Sequence, residues 1–328
     1  MAGVRIMSTP ITIQAHAANY LSERRRLGFQ LHSTGLAISS FARYVDGLGH
    51  RGPLTVEVMA DWARRDKWHS DDPLTWARRL KKLRTFARYL QQFEPRTEVA
   101  DDSTFGRIGQ RLTPHIYSEQ EIVELLAAAR RLGPGLRGAT YETLFGLIAS
   151  TGLRVSEALH LLDADVDLKQ AMLTIRRTKF AKSRQVPLHP SAVQALLRYR
   201  RSRNRYVEVT DETPFFVATR GKRLGHSLSL RQVDRVFSGL REQLGWVNRG
   251  AHIGPRIHDL RHAFIVGRVM LWHAQGVDVD QAMLALSTYV GHAKVSNTYW
   301  YLTGVPQLMA LATAKFESFM QAAEAPHA

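Results

Sequence analysis

The sequence predicts a mainly α-helical chain with one small β-sheet, an α+β protein of two domains. Three observations carry that expectation. Apolar residues recur at helical spacing through most of the 328 residues, with cap signals where the patterns begin. One pair of short β-prone runs flanks a polar, turn-like segment. The length suits two domains of ordinary size, and the 45% hydrophobic share is enough to fill their cores.

Residues 1–95 read as a helical domain. Helices are expected from about Ile11 to Leu27, from Thr34 to Leu48 and from Thr55 to Arg65. A fourth starts at Asp71, Asp72 and Pro73, where acidic residues and a proline suit a helix N-terminus. Trp76, Leu80, Leu83, Ala87 and Leu90 form its apolar stripe. Arg78, Arg79, Lys81, Lys82, Arg84 and Arg88 cover the remainder, a pattern that suits a helix lying along DNA phosphates. Residues 96–114 are polar and broken by Gly and Pro, and read as a linker.

A second domain is expected over residues 115–305. Ser118 with Glu121 makes a capping box ahead of an apolar helix. The next helix, "YETLFGLIASTG", ends at Gly152, and a further one runs from Arg154 to about Leu162. "AMLTIRR" and "RQVPL" are β-prone around "TKFAKS", which predicts a hairpin with its tip near Lys179 to Ser183. Helices follow, interrupted by the apolar "PFFVA". Pro306 opens an amphipathic helix in a final segment, 306–328, with Leu308, Leu311, Ala312 and Phe316 on one face.

Lys and Arg number 45 against 29 acidic residues, a formal charge of +16. Such an excess points to a polyanionic partner, nucleic acid before a ribosomal or membrane surface. With no cysteine, the chain excludes disulfides, thiolate zinc sites and cysteine nucleophiles, and it is compatible with the reducing cytoplasm where we expect it. The N-terminus lacks the continuous apolar core of a signal peptide. No apolar run approaches the roughly 20 residues that span a bilayer, so no membrane partner is expected.

Four constellations could carry chemistry. In "TGLRVSEALHLL", Arg154 opens a helix, where anions bind unpaired N–H groups, and Glu157 lies one turn on. Lys179 sits on the hairpin tip, with Lys182 as a rival, and such a lysine can reach into a cleft and donate a proton. In "HDLRHAF", His258 and His262 share a helix face beside Arg261. The spacing approaches a zinc motif, but Arg261 would repel a metal, whereas it would fork onto a phosphate with His258 as the acid–base group. In "YVGHAKVSNTYWYLTG", His292 follows a glycine and precedes three aromatic residues.

Taken in this order, the four segments resemble the tyrosine recombinases, the phage-integrase and Xer-type family, from about Ile116 to Leu302. The basic N-terminal part resembles that family's helical core-binding domain. The resemblance implies a tyrosine-recombinase catalytic domain that cuts one DNA strand through a 3′-phosphotyrosyl link and passes the strand to a new 5′-hydroxyl through a Holliday junction. Arg154 and Arg261 would clamp the non-bridging oxygens, and His258 and His292 would add hydrogen bonds. His258 would accept the tyrosine proton, Lys179 would protonate the departing 5′-oxygen, and Glu157 would orient the site. The family spacing puts the nucleophile nine residues after His292, at Tyr301 rather than Tyr299, and two helical residues so placed point about 200° apart. Preorganised cations stabilise the transition state, so neither a metal nor any other cofactor is expected. The expected partners are double-stranded DNA bearing a specific recombination site and three further copies in a homotetramer, alone or with related recombinases. The segment 306–328 would be exchanged between subunits. A type IB-like topoisomerase and a non-catalytic DNA-binding protein of the same fold are the alternatives. The stretch between Arg261 and His292 looks about two helical turns longer than in compact relatives, through a longer helix or a loop near Gly276.

Overall fold

The computed structural model describes residues 12–65, 70–109, 111–133, 135–176, 183–304 and 308. The chain divides into two compact units, Met1–Arg111 and Leu112–Ala328.

The first unit contains helices α1 (Ile13–Arg26), α2 (His32–Gly47), α3 (Val56–Arg64), α4 (Pro73–Lys81) and α5 (Arg84–Leu90). Local chemistry sets their starts. The Thr12 hydroxyl accepts from the Ala15 N–H, that of Thr55 from Val58, and the Asp72 carboxylate from Leu74 and Thr75, with Pro73 in the first turn. The single helix expected from Asp71 is two helices, broken at Lys82 and Leu83, and Leu83 is buried at the break. The apolar stripe does face the core: Leu80, Leu83, Ala87 and Leu90 pack with Ile38, Phe41, Val45 and Trp62.

The basic residues of this region divide. Arg78, Lys81 and Arg88 are exposed. Arg79 turns inward, donates to the Trp62 and Arg65 carbonyls and lies 4.2 Å over the Trp62 ring, so it caps α3. Arg84 pairs with Asp102 at 2.5 Å. The stretch read as a linker begins by packing on the same core, with Thr97 and Ala100 buried and the Glu98 N–H bonded to the Leu54 carbonyl.

The second unit contains α6 (Glu119–Arg130), α7 (Leu136–Thr151), α8 (Val155–Leu159), β1 (Val166–Asp167), β2 (Met172–Ile175), β3 (Arg184–Pro187), α9 (Pro190–Arg203), α10 (Leu230–Leu244), α11 (Ile257–Ala274), α12 (Val279–Val290) and α13 (Ser296–Gly304). The capping box of Ser118 and Glu121 is present. Helix α7 is apolar nearly all round and lies against α6, α9 and α11 as the buried axis of the unit. The antiparallel sheet runs β1-β2-β3, with Leu173 opposite Val186 and Ile175 opposite Arg184. β1, which periodicity did not reveal, pairs two residues with β2.

Helix α8 is shorter than expected, because the chain leaves it at His160 to reach the sheet. "PFFVA" makes only isolated bridges, although Phe215 and Phe216 are fully buried. The long stretch after Arg261 extends α11 to Ala274, turns at Gly276 with φ 68°, and continues as α12. The hairpin tip with Lys179 and Lys182, and the final segment apart from Leu308, lie outside the described residues. Among the described residues no helix is long and apolar enough to cross a membrane.

Candidate active site

The site is built where α7 ends and α11 begins. Gly152 terminates α7 in the left-handed region, φ 63°, and a Cβ there would lie 2.5 Å from Phe264 of α11. Only glycine meets both demands. The turn presents the Gly152 carbonyl to Arg261, whose Nη1 donates to it at 2.6 Å. Arg261 is 1% exposed, and its buried Nη2 has no hydrogen-bond partner. Burial lowers its pKa to about 9, aided by the charge of Arg154 and opposed by Tyr301 and Glu157. The group stays cationic at neutral pH. A buried guanidinium with an open donor is costly unless an anion arrives to meet it.

Arg154 caps the start of α8. Its N–H and its Nη1 both donate to the Glu157 carboxylate, at 3.0 and 2.7 Å, and its Nη2 donates to the Gly291 carbonyl at 2.9 Å. Glu157 also receives the fork of Arg184 from β3, at 3.1 and 2.9 Å, while Arg184 Nε donates to the Tyr289 carbonyl at 2.9 Å. Burial pushes the Glu157 carboxyl up, but the hydrogen bonds and charges of Arg184 and Arg154 outweigh it and hold the pKa below its ordinary value. One carboxylate thus fixes two arginines, and both arginines cap the C-terminal end of α12. A Cβ on Gly291 would lie 2.6 Å from Arg184 Nη1, which explains the glycine before His292.

His258 opens α11 with its ring at the surface, yet crowded by neighbouring groups. That partial desolvation comes first, and the charges of Arg261, Arg256 and Arg154 add to it, lowering the pKa to about 4. The imidazole is therefore neutral at pH 7 and a weak proton acceptor. Asp259 is fully buried and pairs with Arg256. His292 follows α12, and its Nδ1 shares a 2.7 Å hydrogen bond with the Thr298 hydroxyl.

Tyr299 and Tyr301 leave α13 in different directions. Tyr299 is 37% exposed and its hydroxyl approaches Asp280. Tyr301 is fully buried, stacks at 6.4 Å on His292 and hydrogen-bonds His262 Nδ1 at 2.6 Å. His262 and His258 meet edge to face at 4.8 Å, an arrangement unlike two ligands converging on one metal. Among the described residues no group of three His, Asp or Glu side chains could hold a metal ion.

The structure thus gathers Arg154, Glu157, His258, Arg261, His292 and Tyr301, drawn from segments up to 147 residues apart in sequence, around one unsatisfied guanidinium. Lys179 lies outside the described residues. In the sequence, Arg184 reads only as the start of a β-prone run, and His262 only as the residue that shares a helix face with His258, with no catalytic role. The i, i+4 spacing of His262 from His258 was the one available signal.

A helical domain that holds a buried guanidinium with an open donor beside a second arginine and a buried tyrosine can receive an anion such as a phosphate at that donor. Residues 116–306 match the Phage integrase family. The putative integrase/recombinase y4rB of Sinorhizobium fredii is 36% identical over 93% of this chain and 97% of its own length. The tyrosine recombinase XerC of Thermodesulfovibrio yellowstonii is 30% identical over 69% of this chain and 70% of its own. Among solved structures, the Tn1549 transposon integrase in complex with transposon right end DNA superposes with a TM-score of 0.65. It covers 94% of this chain and 99% of that one, at 17% identity. The chain belongs to the phage integrase family and is a tyrosine recombinase, an enzyme of site-specific DNA strand breakage and rejoining.

Proposed function

We propose that Tyr301 is the nucleophile of this recombinase and that Arg154 and Arg261 clamp the non-bridging oxygens of the scissile phosphodiester. The observation that carries this reading is the buried Nη2 of Arg261, a donor with no partner beside a second arginine already locked in place. His258 and His292 add hydrogen bonds to the phosphate, Glu157 orients both Arg154 and Arg184, and Lys179 protonates the 5′-oxygen as it leaves. Tyrosine attacks the phosphorus, the P–O5′ bond breaks, and a 3′-phosphotyrosyl link stores the ester until another 5′-hydroxyl reverses the step. Neither ATP nor a metal takes part.

The substrate in this reading is double-stranded DNA with a specific site, bound by a helical clamp in residues 1–95 through Arg78, Lys81, Lys82 and Arg88. The +16 charge supports a polyanion of that kind. Four protomers assemble on the DNA and exchange residues 306–328, and the enzyme works in the cytoplasm.

The test is covalent capture. The full-length protein selects a duplex from a random-sequence pool, and a nick is placed beside the cleavage position so that the freed fragment diffuses away. Wild type gives an SDS-resistant adduct, with or without EDTA, and Tyr301→Phe gives none. No adduct from wild type, or an adduct that survives Tyr301→Phe and is lost in Tyr299→Phe, overturns the assignment.

A further inference from the structure

The catalytic tyrosine must lose a proton as it attacks, since its hydroxyl ordinarily ionises only near pH ~10. The resemblance to the family gave that proton to His258. The geometry points elsewhere, and we propose that His262 is the group that holds the Tyr301 hydroxyl and takes its proton. The inference rests on Tyr301 being the nucleophile.

His262 Nδ1 lies 2.6 Å from Tyr301 Oη, within the distance required of a general base. Both side chains are buried, His262 at 3% exposure and Tyr301 at 0%, so water does not compete for the bond. Trp300 packs on both rings, and Ile265, Val266 and Val290 line the same apolar cluster as Tyr301. With the imidazole proton on Nε2, Nδ1 accepts from the tyrosine O–H. His258, one turn earlier, touches the His262 ring edge to face and sits among Arg261, Arg256 and Arg154. That setting suits a ligand of the phosphate oxygens.

Adjacent residues on a helix point about 100° apart. Arg261 therefore faces the Gly152 carbonyl while His262 faces α13. One turn of α11 thus serves two directions, the phosphate and the nucleophile. Among the described residues, the groups around His262 that carry or change charge include His258 and Arg261 on its own helix, and Tyr301 and His292 from the α12–α13 side.

The step balances. The Tyr301 O–H bond breaks and its proton goes to His262 Nδ1. Oη bonds to phosphorus, the P–O5′ bond breaks, and the 5′-oxygen takes the Lys179 proton. In the return step Lys179 takes the proton of the incoming 5′-hydroxyl, and the phenolate leaving phosphorus recovers its own from His262.

The experiment measures single-turnover adduct formation on the selected, nicked duplex between pH 5.5 and 9.5 with full-length wild type, His262→Asn and His258→Asn. Asparagine can still bond the hydroxyl but cannot hold its proton. His262→Asn is expected to lower the rate at pH 7 by about 10²–10⁴-fold and to replace the wild type's rise to a plateau by a climb that continues to the alkaline end. His258→Asn is expected to keep the wild-type profile shape. Replacing Tyr301 by a ring-fluorinated tyrosine, which ionises more readily, restores part of the His262→Asn rate, an effect that mere misfolding would not produce. The inference is overturned if His262→Asn keeps the wild-type profile, if His258→Asn is the variant that loses it, or if the fluorinated residue gives no rescue. A wild type that forms no adduct, or a Tyr301→Phe that does, overturns the nucleophile assignment instead.

Discussion

Arg184 holds Glu157 by both arms of its guanidinium, at 2.9 and 3.1 Å, across 27 residues of sequence. Both partners are nearly buried, with side-chain exposures of 11% and 8%. Removing one member of such a pair leaves a charge uncompensated and typically costs 3–5 kcal/mol. Arg184→Ala is expected to lose about 3 kcal/mol in urea unfolding and to loosen α12, whose Tyr289 carbonyl loses its cap. Arg184→Lys should recover little, since an ammonium cannot make the fork. A loss under about 1 kcal/mol for Arg184→Ala would contradict the role of this pair.

Arg261→Lys keeps the charge but not the two-sided reach to the Gly152 carbonyl and an oxyanion. Losing one preorganised donor lowers turnover by about 10²–10³-fold. The expected outcome is that loss in single-turnover adduct formation, with DNA affinity in a mobility-shift assay changed less than about tenfold. Equal losses in both would make Arg261 a binding residue only.

His258 sets a pH dependence of stability. Its pKa falls from the ordinary 6.5 to about 4 in the folded chain, so between these values the unfolded chain binds more protons. Stability therefore rises with pH across that window, is fully present above 6.5, and is lost as pH falls toward about 4. His115 and His252 are also lowered, chiefly by burial, and add slopes of the same sign. The measurement is the difference: His258→Gln should flatten the rise of the urea midpoint between pH 5 and 7, and an unchanged slope would refute the assignment.

Two glycine substitutions should move stability in opposite directions. Gly152→Ala meets a left-handed φ of 63° and a 2.5 Å approach to Phe264, and should cost well over about 1 kcal/mol. Gly239 lies exposed within α10 with open space around it, so Gly239→Ala should gain roughly 0.5–1 kcal/mol. Thermal melting of the two variants checks both signs.

What could be read in the sequence was whatever has a local signature. The caps at Ser118 and Asp72, the turn at Gly152 and the stripe through Leu80 and Leu90 all depend on neighbours within one or two helical turns. The order and spacing of the motifs named the residues around Arg261 because chemistry restricts which side chains can stand there. The hydrogen bond between Tyr301 and His262 spans 39 residues and the fork of Arg184 on Glu157 spans 27, and no periodicity encodes such contacts. The break at Lys82 has no Gly or Pro to announce it, and β1, only two residues long, exists because β2 is there to pair with it. Nor does composition tell which arginines of a basic helix face outward: Arg79 turned to the end of α3 because carbonyls there needed donors.

Tyr301 has no surface open to solvent in the lone chain. With Tyr301 as the proposed nucleophile, the lone chain keeps its attacking oxygen where no DNA phosphate reaches it. A duplex bound only in passing is then left uncut, since cutting needs a path opened to the His262–Tyr301 pair as a unit. Fidelity in such an enzyme is then decided twice, by which sequence is held and by whether holding it opens that path. A variant loosened around Trp300 would make its errors at the second of these steps, as breaks scattered across DNA that it otherwise binds normally.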